Sequence, residues 1–305
     1  MIDRLARSRG ALLGLAVGDA VGTTLEFKPP GSFTPLTDMV GGGPFNLELG
    51  EWTDDTSMAL CLAESLVEKR GFSARDQMER YVRWMDDGYY SVKGYCFDIG
   101  TTTAAALHRF KANGNPYGGV ADGAGNGSLM RLAPIPIAYV NDLRAALRYA
   151  AESSRTTHGA PQAIDACRYM TALLIGALRG ASKQELLQPF YSPEPGVWEE
   201  NPLCLEIAAI AAGSFLEKEP PEIRGMGYVV PSLEAALWAF ARSSDYREGC
   251  LKAVNLGDDS DTTGAIFGQL AGAFYGEEGI PADWRAKLAM RERIEELAEQ
   301  LAALG

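Results

Sequence analysis

An all-α fold is what the sequence predicts, and two observations carry the expectation. Apolar residues recur at the 3.6-residue spacing of a helix face through most of the chain. No segment shows the period-two alternation of strands flanked by hairpin turns. The best candidate, residues 228–230, is three residues long and stops at Pro231. About ten or more helices are expected.

The elements follow in order. The first helix carries Gly14, Gly18 and Gly22 at four-residue spacing, one face stripped of side chains where another helix can approach closely. Thr53-Asp54-Asp55-Thr56 precedes the face Met58, Leu62, Leu66. Ser73 with Asp76 and Ser182 with Glu185 match the capping box that satisfies orphan amides of a first helical turn. The former opens onto Met78, Tyr81, Val82 and Met85. Further starts are expected at Asn141, Pro161, Pro231 and Pro281, with the faces Leu233, Leu237, Phe240 and Leu288, Ile294, Leu297, Leu301 behind the last two. Irregular stretches fall at 27–50, 113–127, 189–202 and 218–231. Loops of such length inside a compact domain are more often functional than idle.

Composition bounds the function. The chain has 305 residues, 47% hydrophobic and 22% charged, enough for one large globular domain. No apolar run approaches the roughly 18 residues of a membrane span, and Asp19 interrupts the opening apolar stretch before any cleavage pattern. Cys61, Cys96, Cys167, Cys204 and Cys250 are far apart and odd in number, which predicts reduced thiols and a cytoplasmic protein. The 28 basic residues against 40 acidic ones, net −12, oppose a phosphate backbone and predict no nucleic-acid partner. With only His108 and His158 in the chain, three-histidine zinc sites are excluded and chemistry must rest mainly on carboxylates.

Two acidic clusters stand out, each at an expected helix start: Thr53-Asp54-Asp55-Thr56 and Asp258-Asp259-Ser260-Asp261-Thr262. Capping explains one such residue per helix. It does not explain three acids in five residues. Packed carboxylates repel unless a cation or proton intervenes, and hard divalent ions take carboxylate and hydroxyl oxygens. Facing each other, the clusters would supply about six oxygen ligands. All-α isoprenoid synthases also use aspartate clusters, but at D-D-x-x-D spacing, and the residues after Asp55 lack the third acid.

A third feature is the glycine-rich run 123–131, GAGNGSLMR, expected to enter an apolar helix. Backbone amides in such a loop can approach a phosphate closely. It lacks the G-K-[ST] ending of a P-loop. Glu26, Asp98 and His158 each lie near a glycine at an expected helix end.

Taken in order, G-L-A-V-G-D-A-V-G with Glu26, W-T-D-D-T, G-N-G-S-L-M-R-x-A-P-I, T-H-G and N-L-G-D-D-S-D-T-T-G-A-I-x-G-Q-L-A-G-A-x-Y-G resemble the ADP-ribosylglycohydrolase family, dinitrogenase reductase-activating glycohydrolases included. The motifs span residues 14–276. The resemblance implies a single all-α domain over 1–305, an orthogonal helical bundle, with two Mg²⁺ (or Mn²⁺) ions. It further implies hydrolysis of the bond between ADP-ribose and a modified protein, releasing ADP-ribose. Thr53, Asp54, Asp55, Asp259, Asp261 and Thr262 are the implied metal ligands. Glu26 matches the family glutamate near the scissile bond, with Asp55 and Asp98 as further acid–base candidates. Gly125, Asn126, Gly127, Ser128, Met130 and His158 are the expected substrate contacts. Many members carry glycine where Asp258 stands, and its extra charge is expected to face water. The expected linkage is N-glycosidic, on arginine, because a cationic guanidinium suits an acidic rim. An alternative is an ADP-ribose binder, or an immunity protein whose partner is an ADP-ribosylating toxin.

Overall fold

A computed structural model describes residues 2–305. Its helices are α1 (Arg4–Gly22), α2 (Asp54–Lys69), α3 (Ala74–Asp87), α4 (Thr101–Asn113), α5 (Pro134–Ala138), α6 (Leu143–Arg155), α7 (Pro161–Leu178) and α8 (Lys183–Leu186). There follow α9 (Val197–Glu200), α10 (Leu205–Ala211), α11 (Ser214–Glu217), α12 (Val229–Ala241), α13 (Tyr246–Val254), α14 (Ser260–Tyr275), α15 (Ala282–Lys287) and α16 (Arg291–Ala302). Extended pairing among the described residues is confined to isolated bridges such as Gly125 with Tyr228. The expected all-α class is what the chain adopts.

The centre of the molecule is the antiparallel pair α1 and α14. A Cβ on Gly14 would lie 2.2 Å from the Gly268 carbonyl oxygen, one on Gly18 2.0 Å from Gly264 O, and one on Gly10 2.2 Å from Gly272 O. The two backbones touch, and only glycine allows it. Both helices are buried almost all round, as a core helix must be. The seam also fixes register: Ser260 Oγ donates to Gly22 O at 2.7 Å, so the C-terminal end of α1 meets the N-terminal end of α14.

Several expected boundaries shift for local reasons. The cap of α6 is Asp142, which accepts from Ala145 N, while Asn141 accepts from Arg4 instead. α12 begins at Val229, with Pro231 in its first turn, where the missing amide costs nothing. Ser73 caps α3, but Asp76 pairs with Arg80 at 2.7 Å rather than closing the box; Ser182 and Glu185 close theirs fully. The pattern at 288–301 is broken, since Leu288 precedes a left-handed Met290 and α16 starts at Arg291. The glycine-rich run enters no helix: it folds as turns, with Leu129 N and Met130 N both donating to Asn126 O, and α5 waits until Pro134. Among the described residues, no helix is long and apolar enough to cross a membrane. All five cysteines are free, three of them buried.

Candidate active site

The acidic clusters lie at two helix starts brought together by the α1–α14 seam. Thr53 is the N-cap of α2, yet its side chain makes no capping bond. Asp19, on α1, does that work from across the interface. Its carboxylate accepts from Thr53 N (2.9 Å), Thr56 N (3.1 Å), Thr53 Oγ1 (2.9 Å) and Thr56 Oγ1 (2.6 Å). The side chains of Asp54 and Asp55 are thereby freed from satisfying the helix amides. Asp259, the N-cap of α14, is likewise released from capping and accepts from Asn126 Nδ2 at 2.7 Å.

The clusters face each other as expected. Thr53 Oγ1 lies 3.2 Å from Asp261 Oδ2, and Thr262 Oγ1 donates to Asp55 Oδ2 at 3.3 Å. Glu26 follows a 3₁₀ turn at the end of α1, and Asp98 comes from the loop before α4 with φ +56°. Oxygens of Glu26, Asp98 and Asp261 all lie within 4.8 Å of one another.

Charge at this density is not tolerated bare. Burial, then the neighbouring acids, push Glu26 up to about 10, and burial chiefly holds Asp98 at about 8. Asp54, Asp55 and Asp261 are raised well above the carboxylate range for the same two reasons. Oxygens of Glu26 and Asp98 lie within 4.8 Å of each other, so repulsion from Asp98 adds to burial in raising Glu26. Glu26 Oε2, Asp55 Oδ1 and Asp261 Oδ1 are buried without any partner in the protein. Orphaned carboxylate oxygens beside hydroxyls form a donor set that suits a hard divalent cation.

The opposite wall is the glycine-rich loop. Asn126 N donates to Gly227 O and Val229 N to Ala124 O, both at 3.0 Å, so the 218–231 loop braces it. A Cβ on Gly127 would come within 2.9 Å of the His158 ring. Burial first, then Arg131, pushes the imidazole down to about 3, so it is neutral. The N-terminus of α4 closes the third side with Thr101, Thr102 and Thr103. The cleft between these walls measures about 350 Å³. An apolar groove of about 840 Å³ lies beyond the loop at Pro30 and Gly31, lined by Trp238 and Leu251. It is larger, but none of the acid nest borders it.

Of the expected residues, Glu26, Asp54, Asp98, Gly125, Asn126, Gly127, Met130, His158, Asp259, Asp261 and Thr262 border this cavity. Thr53 and Asp55 lie behind it, wholly buried. Ser128 departs from the expectation: its buried hydroxyl donates to Ser154 Oγ at 2.9 Å, since the proton of Ser154 goes to His158 O, and is spent inside the protein. Asp258 turns outward to Arg224 (2.8 Å), away from the nest. Its backbone clamps the next loop, accepting from Phe27 N at 2.7 Å and donating to Lys28 O at 2.8 Å. Phe27 is thus held at φ +61° with its ring 66% exposed beside Glu26. Sequence reasoning passed over Asp19, Phe27 and the α4 threonines. The G-D pair within the first motif was the one available signal for Asp19.

A cavity with an acid nest on one wall and a glycine loop with a neutral imidazole on the other, set in this helical fold, has carboxyls grouped as the hydrolysis of a glycosidic bond requires. The comparisons specify the class. The family model for ADP-ribosylglycohydrolase matches residues 1–305, and the chain belongs to that family. It is 45% identical to the ADP-ribosylarginine hydrolase Tri1 of Pseudomonas putida (strain GB-1), over 97% of this chain and 78% of that protein. Identity is 31% to the ADP-ribosyl-[dinitrogen reductase] glycohydrolase of Rhodospirillum rubrum, over 98% and 95%. A solved structure described as an ADP-ribosylglycohydrolase-related protein complex superposes with a TM-score of 0.87 at 47% identity, covering 100% of this chain and 99% of that one. The chain is accordingly a glycohydrolase.

Proposed function

We propose that this enzyme removes ADP-ribose from ADP-ribosylated arginine side chains of a protein substrate, at a centre holding two Mg²⁺ ions, with Mn²⁺ as the alternative. The observation that carries the reading is the convergence of Glu26, Asp98 and Asp261, from three distant segments, within 4.8 Å in one cavity. Thr53, Asp54, Asp55, Asp259, Asp261 and Thr262 would hold the cations, and the orphaned oxygens of Asp55 and Asp261 are the donors that lack a partner. Bound there, divalent ions would orient the vicinal hydroxyls of the distal ribose and lower the pKa of water.

The chain's own groups do the rest. Cleavage develops positive charge at the anomeric carbon, and the nest supplies negative charge around it. Without cations, burial and the neighbouring acids hold Glu26 at about 10 and Asp98 at about 8, so both carboxyls keep their protons near neutral pH. Ionisation of Glu26, favoured by cations bound beside the pair, would let it take the proton of the attacking water while Asp98 keeps one to give to the leaving nitrogen; Asp55, sealed behind the cavity, is less well placed for either. Gly125, Gly127 and His158 line the cavity on the side where they would receive the diphosphate. Phe27, exposed and lining the same cavity as Glu26 and Asp98, would offer a planar cation an aromatic surface in an acidic setting. That arrangement favours guanidinium over a neutral serine oxygen, in keeping with the names of the Tri1 relatives.

The test is side-by-side turnover of arginine- and serine-linked ADP-ribose on one carrier protein. Faster release from arginine is expected. Faster release from serine overturns the linkage and leaves the ADP-ribose cavity standing.

A further inference from the structure

Beneath the glycine loop lies an unusual cation. Arg131 is fully buried and no carboxylate pairs with it among the described residues. Its guanidinium sits over the Tyr81 ring, 4.7 Å from the centroid, and its Nε has no partner. A buried cation without a counter-ion is costly, so its few hydrogen bonds are informative. The shortest of them, at 2.7 Å, runs from Nη2 to Thr157 Oγ1.

Thr157 is also fully buried, and its hydroxyl has one other neighbour, His158 Nδ1 at 2.8 Å. Arginine can only donate, so the hydroxyl must accept from Arg131 and still place its own proton. His158 Nδ1 is the sole acceptor in reach. Were Nδ1 protonated, the hydroxyl proton and the imidazole proton would compete for one short contact, and one would be left buried without a partner. Nδ1 is therefore the acceptor, and in a neutral ring the remaining proton resides on Nε2. That nitrogen has no partner in the protein, and it faces Gly125 and Gly127, 3.2 Å from where a Cβ on either would stand. The main chain fixes the ring as well, with His158 N donating to Ser154 O at 2.7 Å and Ser154 Oγ donating to His158 O at 3.0 Å.

We propose that Arg131 and Thr157 are positioning residues that lock His158 in its Nε2–H tautomer, so that it presents a fixed hydrogen-bond donor to an oxygen of the diphosphate or its ribose. The choice of ligand rests on the ADP-ribose reading above; the tautomer does not. Arg131 gives the loop a second use: a buried positive charge under the phosphate-facing wall of a chain whose net charge is −12.

With two histidines in the chain, ¹⁵N-labelled imidazoles can be assigned directly by long-range ¹H–¹⁵N NMR of the metal-loaded, ligand-free protein. The expected pattern for His158 is a protonated Nε2 and a bare Nδ1. Thr157→Val should abolish that single-tautomer signature and weaken ADP-ribose binding by about tenfold, the loss expected of one hydrogen bond to a charged oxygen. Thr157→Ser, which restores the hydroxyl, should recover both, whereas a merely structural role would track melting temperature and not tautomer. A protonated Nδ1 in the wild type, or an unchanged tautomer in Thr157→Val, overturns the lock. An altered tautomer with unaltered ADP-ribose affinity overturns the donor role. Failure of the wild type to bind ADP-ribose at all would instead refute the ADP-ribose reading and leave the tautomer standing.

Discussion

Glu26 reaches the nest through a 3₁₀ turn that bends the chain away from α1, and Asp98 through a left-handed backbone that only its neighbours can hold. Strained non-glycine residues at Phe27, Asp98 and Asp258 cluster round the cavity mouth, as strain does where function demands a fixed side-chain direction. Glu26→Gln keeps the size and removes the base. It should lower kcat by about 10²- to 10⁴-fold while ADP-ribose affinity measured by calorimetry stays within about threefold. An unchanged kcat would assign proton transfer elsewhere. At this scale the sequence was informative where residue type is unusual: three acids in five positions announce a site whatever the fold. It was silent where the role depends on a distant partner. The G-D pair marks Asp19 without telling its role, because the amides it accepts from lie 34 and 37 positions away.

The α1–α14 seam decides where the clusters meet. Glycine periodicity in α1 announced a close neighbour, but the partner, 246 positions on at the Gly18–Gly264 contact, could not be deduced without the fold. The glycine-rich loop misled for a different reason: its apolar residues are held by turns and by the 218–231 loop instead of by a helix of their own. The seam makes a graded prediction. Gly10→Ala, remote from the nest, should cost about 1–3 kcal/mol in a denaturant titration and leave kcat/KM nearly unaltered. Gly18→Ala, next to Asp19, should cost a similar amount and also reduce kcat/KM, since it pushes α14 away from α2. Equal activity losses in the two variants would show that the seam holds the fold without setting the site.

For the whole molecule, the acid nest predicts how stability depends on pH when divalent ions are removed. Asp19, Asp98 and Glu26 stand at about 6, about 8 and about 10, above the ordinary carboxylate value of about 4. The folded chain therefore binds more protons than the unfolded one across that window, and stability falls as pH rises. The stabilisation is complete below about pH 4 for these groups and is lost progressively through about pH 10. In chelator, melting temperature should decline from about pH 5 to about pH 9, and Mg²⁺ should raise it most at the alkaline end. A flat profile in chelator would mean the nest is balanced by something other than protons.

If the nest is a divalent-cation centre for releasing ADP-ribose, activity must follow the cation. An arginine-ADP-ribosylated carrier is incubated with the enzyme after exhaustive chelation, then again after Mg²⁺ or Mn²⁺ is restored, and free ADP-ribose is quantified. A cation-dependent centre should show no release above background in the first case and full recovery in the second. Undiminished release from verified metal-free enzyme would contradict it.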